Sequence, residues 1–597
     1  MVLAIEAGLS VLALVLALTV PKLGSRWFEA LERNLGNLAR QRGLSVITVG
    51  LTALTLRAAL LPLLPIPDPG VPDEFSYLLL SDTFAHGRLT NPSNPMWVHF
   101  ETLQVLWHPT HVGKYWPAQG LFMAVGQVLL GHPFWGVWLS VGVMCAAICW
   151  MLQAWLGEEW ALLGGFLAVI RYASFNYWDN SYWGGAVTAI GGALVLGALP
   201  RMKQGHRVRN ALLMGLGFAI MANSRPYEGL FFGIPVAVAI LAWLWKLKRP
   251  ELSRALKKIV VPLLAVLAFT VVGMGYYFWR TTGSPFNTPY LVYDHTYNQV
   301  PLFPWESLRP IPAYGHAVFS DNDFKYLALP QYRQTQSLKG LAAKELSASY
   351  LFWTFFLGPL LTFPLALAFM TLPYGFSWNN ISPSTRFLLL VCGVTLAGES
   401  LPIWYSPHYS APITCVLLAL VLVALRRVRS LHFRGKPFGA FIARAVPAIA
   451  LLVLVLFSGA HAIGWPRSLR HSESTLTWCT VMRTNTERAA MLAKLRRYPS
   501  RQLVIVRHKD IHSNAYFEWV YNRADLNSAK VVWARDQGPA KNQELIDYFK
   551  GRRVWLVDAD SQPPKLTPYP PGGTATSEAG AGGVAAPRCL GGTCLCY

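Results

Sequence analysis

The stretch SVITVGLTALTLRAALLPLLPIPDPGVPDEFSYLLL, Ser45 to Leu80, decides the fold. Its first part, Ser45 to Ile66, reaches the ~20 apolar residues that a helix needs to cross a bilayer. It then breaks on prolines and sets Asp73 beside Glu74 at the edge of the apolar run. The same kind of run recurs along the chain, as in PFWGVWLSVGVMCAAICWMLQAW (Pro133 to Trp155) and AVPAIALLVLVLFSGAHAIG (Ala445 to Gly464). Of the 597 residues, 53% are hydrophobic and only 14% charged, well below the quarter typical of soluble domains. The chain therefore reads as an α-helical polytopic membrane protein. The first apolar run, Val2 to Val20, has no basic residue before it and no small-residue cleavage site, so it is expected to remain as a span.

A net charge of +22 raises the question of nucleic acid. The distribution answers it. Basic residues gather in Pro21 to Gly43, Pro200 to Asn210, Lys246 to Ile259 and Arg426 to Arg444, each block lying between apolar runs. That pattern is the positive-inside rule at work and assigns the four blocks to the cytoplasm. Nucleic acid is not expected as a partner; membrane lipids are. About twelve spans follow, near 2–20, 44–64, 133–155, 160–175, 184–199, 210–223, 230–245, 259–278, 349–371, 387–403, 411–425 and 445–464. Long extracytoplasmic loops are expected at 65–132 and 279–348, with everything after about Gly464 on the same side.

Composition changes in the C-terminal part. QLVIVRH, KVVWARD and RRVWLVDAD read as strands, and NTERAAMLAKLRRY and NQELIDYFKG as helices. The alternation predicts a small soluble α/β domain over 465–565, after an extra span and basic linker (1–43) and the main membrane domain (44–464). The Pro-, Gly- and Ala-rich tail, 566–597, is expected to be disordered. It holds Cys589, Cys594 and Cys596, which with Cys479 fit no zinc pattern; outside the cytoplasm they would be free to form disulfides.

On this topology the costly polar groups fall on one side of the membrane: Asp73, Glu74, His108, His111, Lys114, Asp179, Arg225, Glu228 and His408 with Tyr409. Ionisable residues beside spans mark substrate paths. Each also has a plainer account. The acidic pair fits a solvated loop start, the histidines fit ordinary loop residues, Arg225 and Glu228 fit a local ion pair, and Asp179-Asn180 fits a turn.

Their order along the chain resembles the GT-C glycosyltransferase superfamily, in particular the branch of protein O-mannosyltransferases and lipid A aminoarabinose transferase. An acidic pair after the first core span corresponds to Asp73-Glu74, and a Lys-containing motif before a short helix to Lys114 and YWPAQGLFMAVGQVLLG. A later outer acidic residue corresponds to Asp179, and an Arg-Tyr-x-x-Pro-like element to HYSAP, His408 to Pro412. The resemblance covers roughly 44–464 and has two departures: the Lys motif lacks its tandem proline, and His408 stands where the family often has Arg. It implies a GT-C-like fold and the transfer of a sugar from a polyprenyl-phosphate carrier to a glycan, lipid or protein acceptor. In that chemistry Asp73 is the candidate general base, with Glu74 orienting it, the acceptor or a metal, and Asp179 the next candidate for the base. Lys114, Arg225, His408 and Tyr409 would hold the carrier phosphate.

A transporter or flippase is the rival function, and it too places charges beside spans. Such proteins tend to set them at the bilayer midplane within inverted repeats, and no repeat is visible here. No cofactor is required by these motifs; His86, His99, His108 and His111 leave a divalent metal open. The sole Asn-x-Ser/Thr sequon without proline, at Asn380, falls in a loop assigned to the inside. That favours a bacterial inner membrane, with the site and the C-terminal domain outside the cytoplasm.

Overall fold

The protein is described from a computed structural model covering residues 1–569 except 206, 317–318, 320–326, 373–377, 465–475, 482–483 and 509–516. Cys589, Cys594, Cys596 and nearly all of the expected tail lie outside the described residues.

The chain opens with α1 (Val2–Thr19), α2 (Ser25–Arg40) and α3 (Arg42–Ala59). The basic linker is thus itself helical, a feature that the block of charge concealed. α3 stops five residues earlier than the expected 44–64 span. Pro62 and Pro65 lack the N–H that a further turn would use, and the chain folds back so that Arg57 donates to the Leu64 carbonyl at 2.9 Å. The expected loop 65–132 holds α4 (Pro72–Ala85), a hairpin of β1 (Val105–Leu106) and β2 (Val112–Gly113), and α5 (Pro117–Leu130).

The bundle continues with α6 (Phe134–Trp155), α7 (Glu158–Tyr172), α8 (Ala186–Gly205), α9 (Val208–Ala222) and α10 (Pro226–Trp245). A turn of π-helix joins α11 (Glu251–Ala255) to α12 (Val261–Thr282), making one rod. The second long loop contains α13 (Pro289–Tyr297) and α14 (Leu329–Thr335). A similar π turn links α15 (Leu338–Phe352) to α16 (Gly358–Met370), and α17 (Pro383–Glu399), α18 (Thr414–Arg429) and α19 (Phe438–Ala462) complete the membrane part. Each expected span falls on a helix. Seven helical segments among the described residues are long and apolar enough to cross a membrane; the other expected spans are shorter or more polar.

Two of the four basic blocks are tied to each other, and one of them to the α6–α7 turn, by ion pairs. Glu32 of α2 accepts from Arg429 at 2.8 Å and from Arg444 at 3.0 Å, and Glu158 accepts from Arg42 at 2.8 Å. Those loops therefore share one end of the bundle, called here the basic end. At the opposite end α4 packs on α5, and the Ala118 amide bonds the Asn223 carbonyl at 2.8 Å, joining α5 to the α9–α10 turn.

After the membrane part come α20 (Thr486–Arg496), β3 (Gln502–Arg507), β4 (Val531–Arg535), α21 (Pro539–Tyr548), β5 (Arg553–Asp558) and β6 (Lys565–Pro568). The sheet order is β4-β3-β5-β6, with β3 parallel to both neighbours and β6 antiparallel to β5. The sheet runs past the expected boundary at 565, because β6 still pairs with β5. A parallel strand needs cover on both faces, which explains why β3 reads as a continuous apolar run. One face packs on Leu495 of α20. The other packs on Leu545 and Phe549 and on Phe100 and Trp107, which come from the first long loop.

Candidate active site

α4 begins where Pro72 takes the first helical position, one that needs no N–H donor. Asp73 and Glu74 fall in its first turn, where the helix dipole favours negative charge. Their environments differ sharply. Glu74 is buried and turns back on the chain, accepting from the amides of Gly70 (2.8 Å), Val71 (3.3 Å) and Tyr182 (3.1 Å). Burial dominates and pushes its carboxyl up to about 7, although the backbone donors pull the other way. Glu74 locks the start of α4 onto the 176–183 turn.

Asp73 is half-buried and accepts a hydrogen bond from the Tyr115 hydroxyl. Tyr115 stacks on Tyr77 with ring centroids 4.8 Å apart. The adjacent Lys114 ammonium lies over three rings: Tyr115 at 5.2 Å, Tyr290 at 4.9 Å and Tyr293 at 4.5 Å. These contacts gather β2, α4 and α13 around one point.

Arg225 caps α10 just before Pro226 and lies 4.4 Å over the Tyr409 ring, with Glu228 at 3.9 Å. Tyr77 and Tyr409 both lie within charge-interaction range of Arg225 and Asp73, so acid and cation face one group of rings. His408 is buried deeper, its Nδ1 3.0 Å from the Tyr177 hydroxyl and its ring 5.0 Å from Trp183. Burial first, and then Arg225, hold this imidazole well below the usual histidine range. It is a neutral wall residue beside a permanent cation.

Asp179 stands apart. Its side chain is wholly buried 3.9 Å from Arg57 of α3, and neither carboxylate oxygen has a hydrogen-bond partner. Burial raises its carboxyl well above the ordinary range. It steadies the turn that delivers the Tyr182 amide to Glu74 and does not meet the Asp73 cluster. His108 is exposed with its ring against Trp97, while His111 is stacked on Trp107 at 3.7 Å and pushed down to about 3 by burial. Among the described residues no group of three or more His, Cys, Asp or Glu is placed to hold a metal ion.

Two parts of the cluster escaped sequence reasoning. Tyr77 of α4 and Tyr290 and Tyr293 of α13 are scattered along the chain and carry no motif. Glu399, at the end of α17, accepts from Ser410, which is also 3.0 Å from the Tyr405 hydroxyl, and so braces the loop carrying His408 and Tyr409. An ionisable residue closing an apolar helix is a signal that could have found it.

The C-terminal domain closes over α4. Phe75 stacks on Tyr521 at 4.5 Å, and the Glu518 amide bonds the Gly70 carbonyl at 3.0 Å. Asp82 accepts from the Ala524 amide (2.9 Å), Arg523 (3.0 Å) and Gln127 (2.8 Å). Buried Glu518 joins Thr102 at 2.6 Å to Arg535 at 2.8 Å.

No family model and no curated protein matches the chain. Solved structures do. The Archaeoglobus fulgidus oligosaccharyltransferase with a tethered acceptor peptide is similar over 87% of this chain and 69% of its own, at 12% identity and a TM-score of 0.47. ArnT from Cupriavidus metallidurans bound to undecaprenyl phosphate is similar over 86% of this chain and 92% of its own, at 14% identity and a TM-score of 0.44. The arabinosyltransferase EmbB from Mycobacterium smegmatis is similar over 70% and 41%, at 12% identity and a TM-score of 0.40. All three are GT-C glycosyltransferases, the superfamily whose motifs the sequence resembles. At these TM-scores the likeness carries no argument, and fold and chemistry rest on the chain's own sequence and geometry.

Proposed function

We propose that the chain is a membrane glycosyltransferase that moves a sugar from a polyprenyl-phosphate carrier to an acceptor hydroxyl at the end of the bundle opposite the basic loops. The observation that supports this most is the juxtaposition of Asp73 with Arg225 and Lys114 inside a wall of tyrosines. The acceptor oxygen attacks the anomeric carbon, and the bond from that carbon to the carrier phosphate oxygen breaks. Asp73 takes the acceptor proton as the new bond forms. Arg225 and Lys114 balance the charge that collects on the departing phosphate, the guanidinium through two parallel donors. Tyr77, Tyr290 and Tyr409 offer ring faces and hydroxyls to a sugar. By the positive-inside rule the basic end faces the cytoplasm, so transfer takes place outside it.

The test uses purified full-length protein with a panel of labelled polyprenyl-phosphate hexoses and pentoses. Protein-dependent release of polyprenyl phosphate from one of them is the expected result. Movement of intact labelled lipid across a vesicle membrane, with no release from any donor, would replace the reading with a flippase.

A further inference from the structure

At the basic end, far from this site, α1 and α19 leave an apolar groove of about 230 Å³ between them. Leu9 and Leu16 of α1 line one side, and Phe441, Ala445, Ala448 and Leu452 of α19 the other. From Phe441 to Leu452 the helical rise gives a length of about 16 Å, which is half of the ~30 Å hydrocarbon core, the depth of one leaflet. Phe28 of α2 and Arg444 stand where the groove opens towards the basic end.

α2 supplies the second observation. It lies across that opening with Trp27 85% exposed and Leu23 and Leu31 exposed beside it. Arg26, Arg33 and Arg40 are spaced seven apart, so they form one stripe along the helix, and all three are exposed, as is Lys22. The glutamates of α2 do not neutralise this stripe. Glu32 is engaged by Arg429 and Arg444, and Glu29 lies 3.8 Å from Arg444. An apolar edge beside a cationic edge is the layout of a helix lying in a membrane surface.

We infer that the α1–α19 groove and α2 form a binding site for one anionic phospholipid of the leaflet at the basic end, its acyl chain in the groove and its headgroup against Lys22 and Arg26. Length, apolar lining and surplus positive charge agree on that occupant. Attraction of an acidic headgroup is worth roughly fivefold in affinity for each basic residue.

Native mass spectrometry of the full-length protein tests this, titrating phosphatidylglycerol and phosphatidylcholine with identical acyl chains. Phosphatidylglycerol is expected to be retained preferentially, and a Lys22→Gln/Arg26→Gln variant to lose that preference, about fivefold for each charge removed. Ala448→Phe, which fills the groove, is expected to displace both lipids. Equal retention of the two lipids, or undiminished retention in Ala448→Phe, would overturn the inference. Preferential retention of added polyprenyl phosphate would also overturn it by giving the groove to the donor lipid. The charge variant alters only exposed side chains, so it decides the matter even if Ala448→Phe fails to fold.

Discussion

Replacing Asp73 with Asn is the sharpest perturbation of the proposed chemistry. The amide has the size of the carboxylate, and its oxygen still accepts from Tyr115, so the local geometry is kept. What disappears is the capacity to take a proton. General-base assistance is typically worth ~10²–10⁴-fold, or about 2.7–5.5 kcal/mol of barrier, and that is the expected loss. Donor binding should be unchanged or tighter, since a negative charge leaves a cluster proposed to hold a phosphate. Tyr115→Phe provides the graded comparison. It removes one hydrogen bond to a charged group, worth about 1.5–3 kcal/mol, so a smaller loss is expected. In the double variant the losses should not add, because Tyr115 acts only through Asp73. The assay is single-turnover transfer from a labelled donor, with donor binding measured separately. Near-normal transfer by Asp73→Asn, or equal losses in binding and rate, would refute the assignment.

Three further outcomes follow from the geometry. The raised carboxyl of Glu74 gives stability that is fully present below about 4.5 and lost as pH rises through about 7. Thermal unfolding of the wild type should therefore weaken across that window relative to Glu74→Gln, by no more than about 3 kcal/mol; parallel curves would contradict the placement. Arg225→Ala should weaken donor binding more than His408→Ala, because only the arginine is a permanent forked cation, and the reverse order in a binding titration would move the phosphate elsewhere. Asp82→Ala should loosen the C-terminal domain by about 1–3 kcal/mol, most of it from the buried Ala524 amide left unpaired, since Arg523 is largely exposed and its ion pair contributes little. Faster limited proteolysis of the domain is the readout, and an unchanged rate would count against the docking.

The membrane helices were legible because a span must be apolar for its whole length, and the basic blocks between them were legible because charge stays out of the bilayer. The C-terminal strands were legible for a related reason, since β3, β4 and β5 are short apolar runs set off by polar turns. α2 was hidden because its charges look like a linker until they are wound at 3.6 residues per turn. Most of the site was legible one residue at a time, but its assembly was not. Asp73, Lys114, Arg225 and Tyr409 stand out as polar groups beside apolar runs, whereas Tyr290 and Tyr293 become neighbours of Lys114 only when α13 folds back on β2. Asp179, a carboxylate in a turn between two spans, looks solvent-facing in sequence, and only packing reveals Arg57 beside it.

Why should Asp73, and not another acid nearby, take the proton? α4 carries three carboxylates, and their partners separate them. The oxygens of Glu74 are held by three backbone amides that cannot turn away, so its carboxyl is fixed against the chain at Gly70, Val71 and Tyr182 and is buried there, turned away from an incoming acceptor. Asp82 is bound by a backbone amide, a glutamine and an arginine, and is covered by the C-terminal domain. Asp73 alone of the three has no backbone donor among the described residues; its partner is a phenol hydroxyl that can rotate. Backbone donors fix a carboxylate in place, whereas a rotatable hydroxyl leaves a lone pair that an incoming acceptor can reach. On α4 the structural acids and the chemical one are thus told apart by what donates to them.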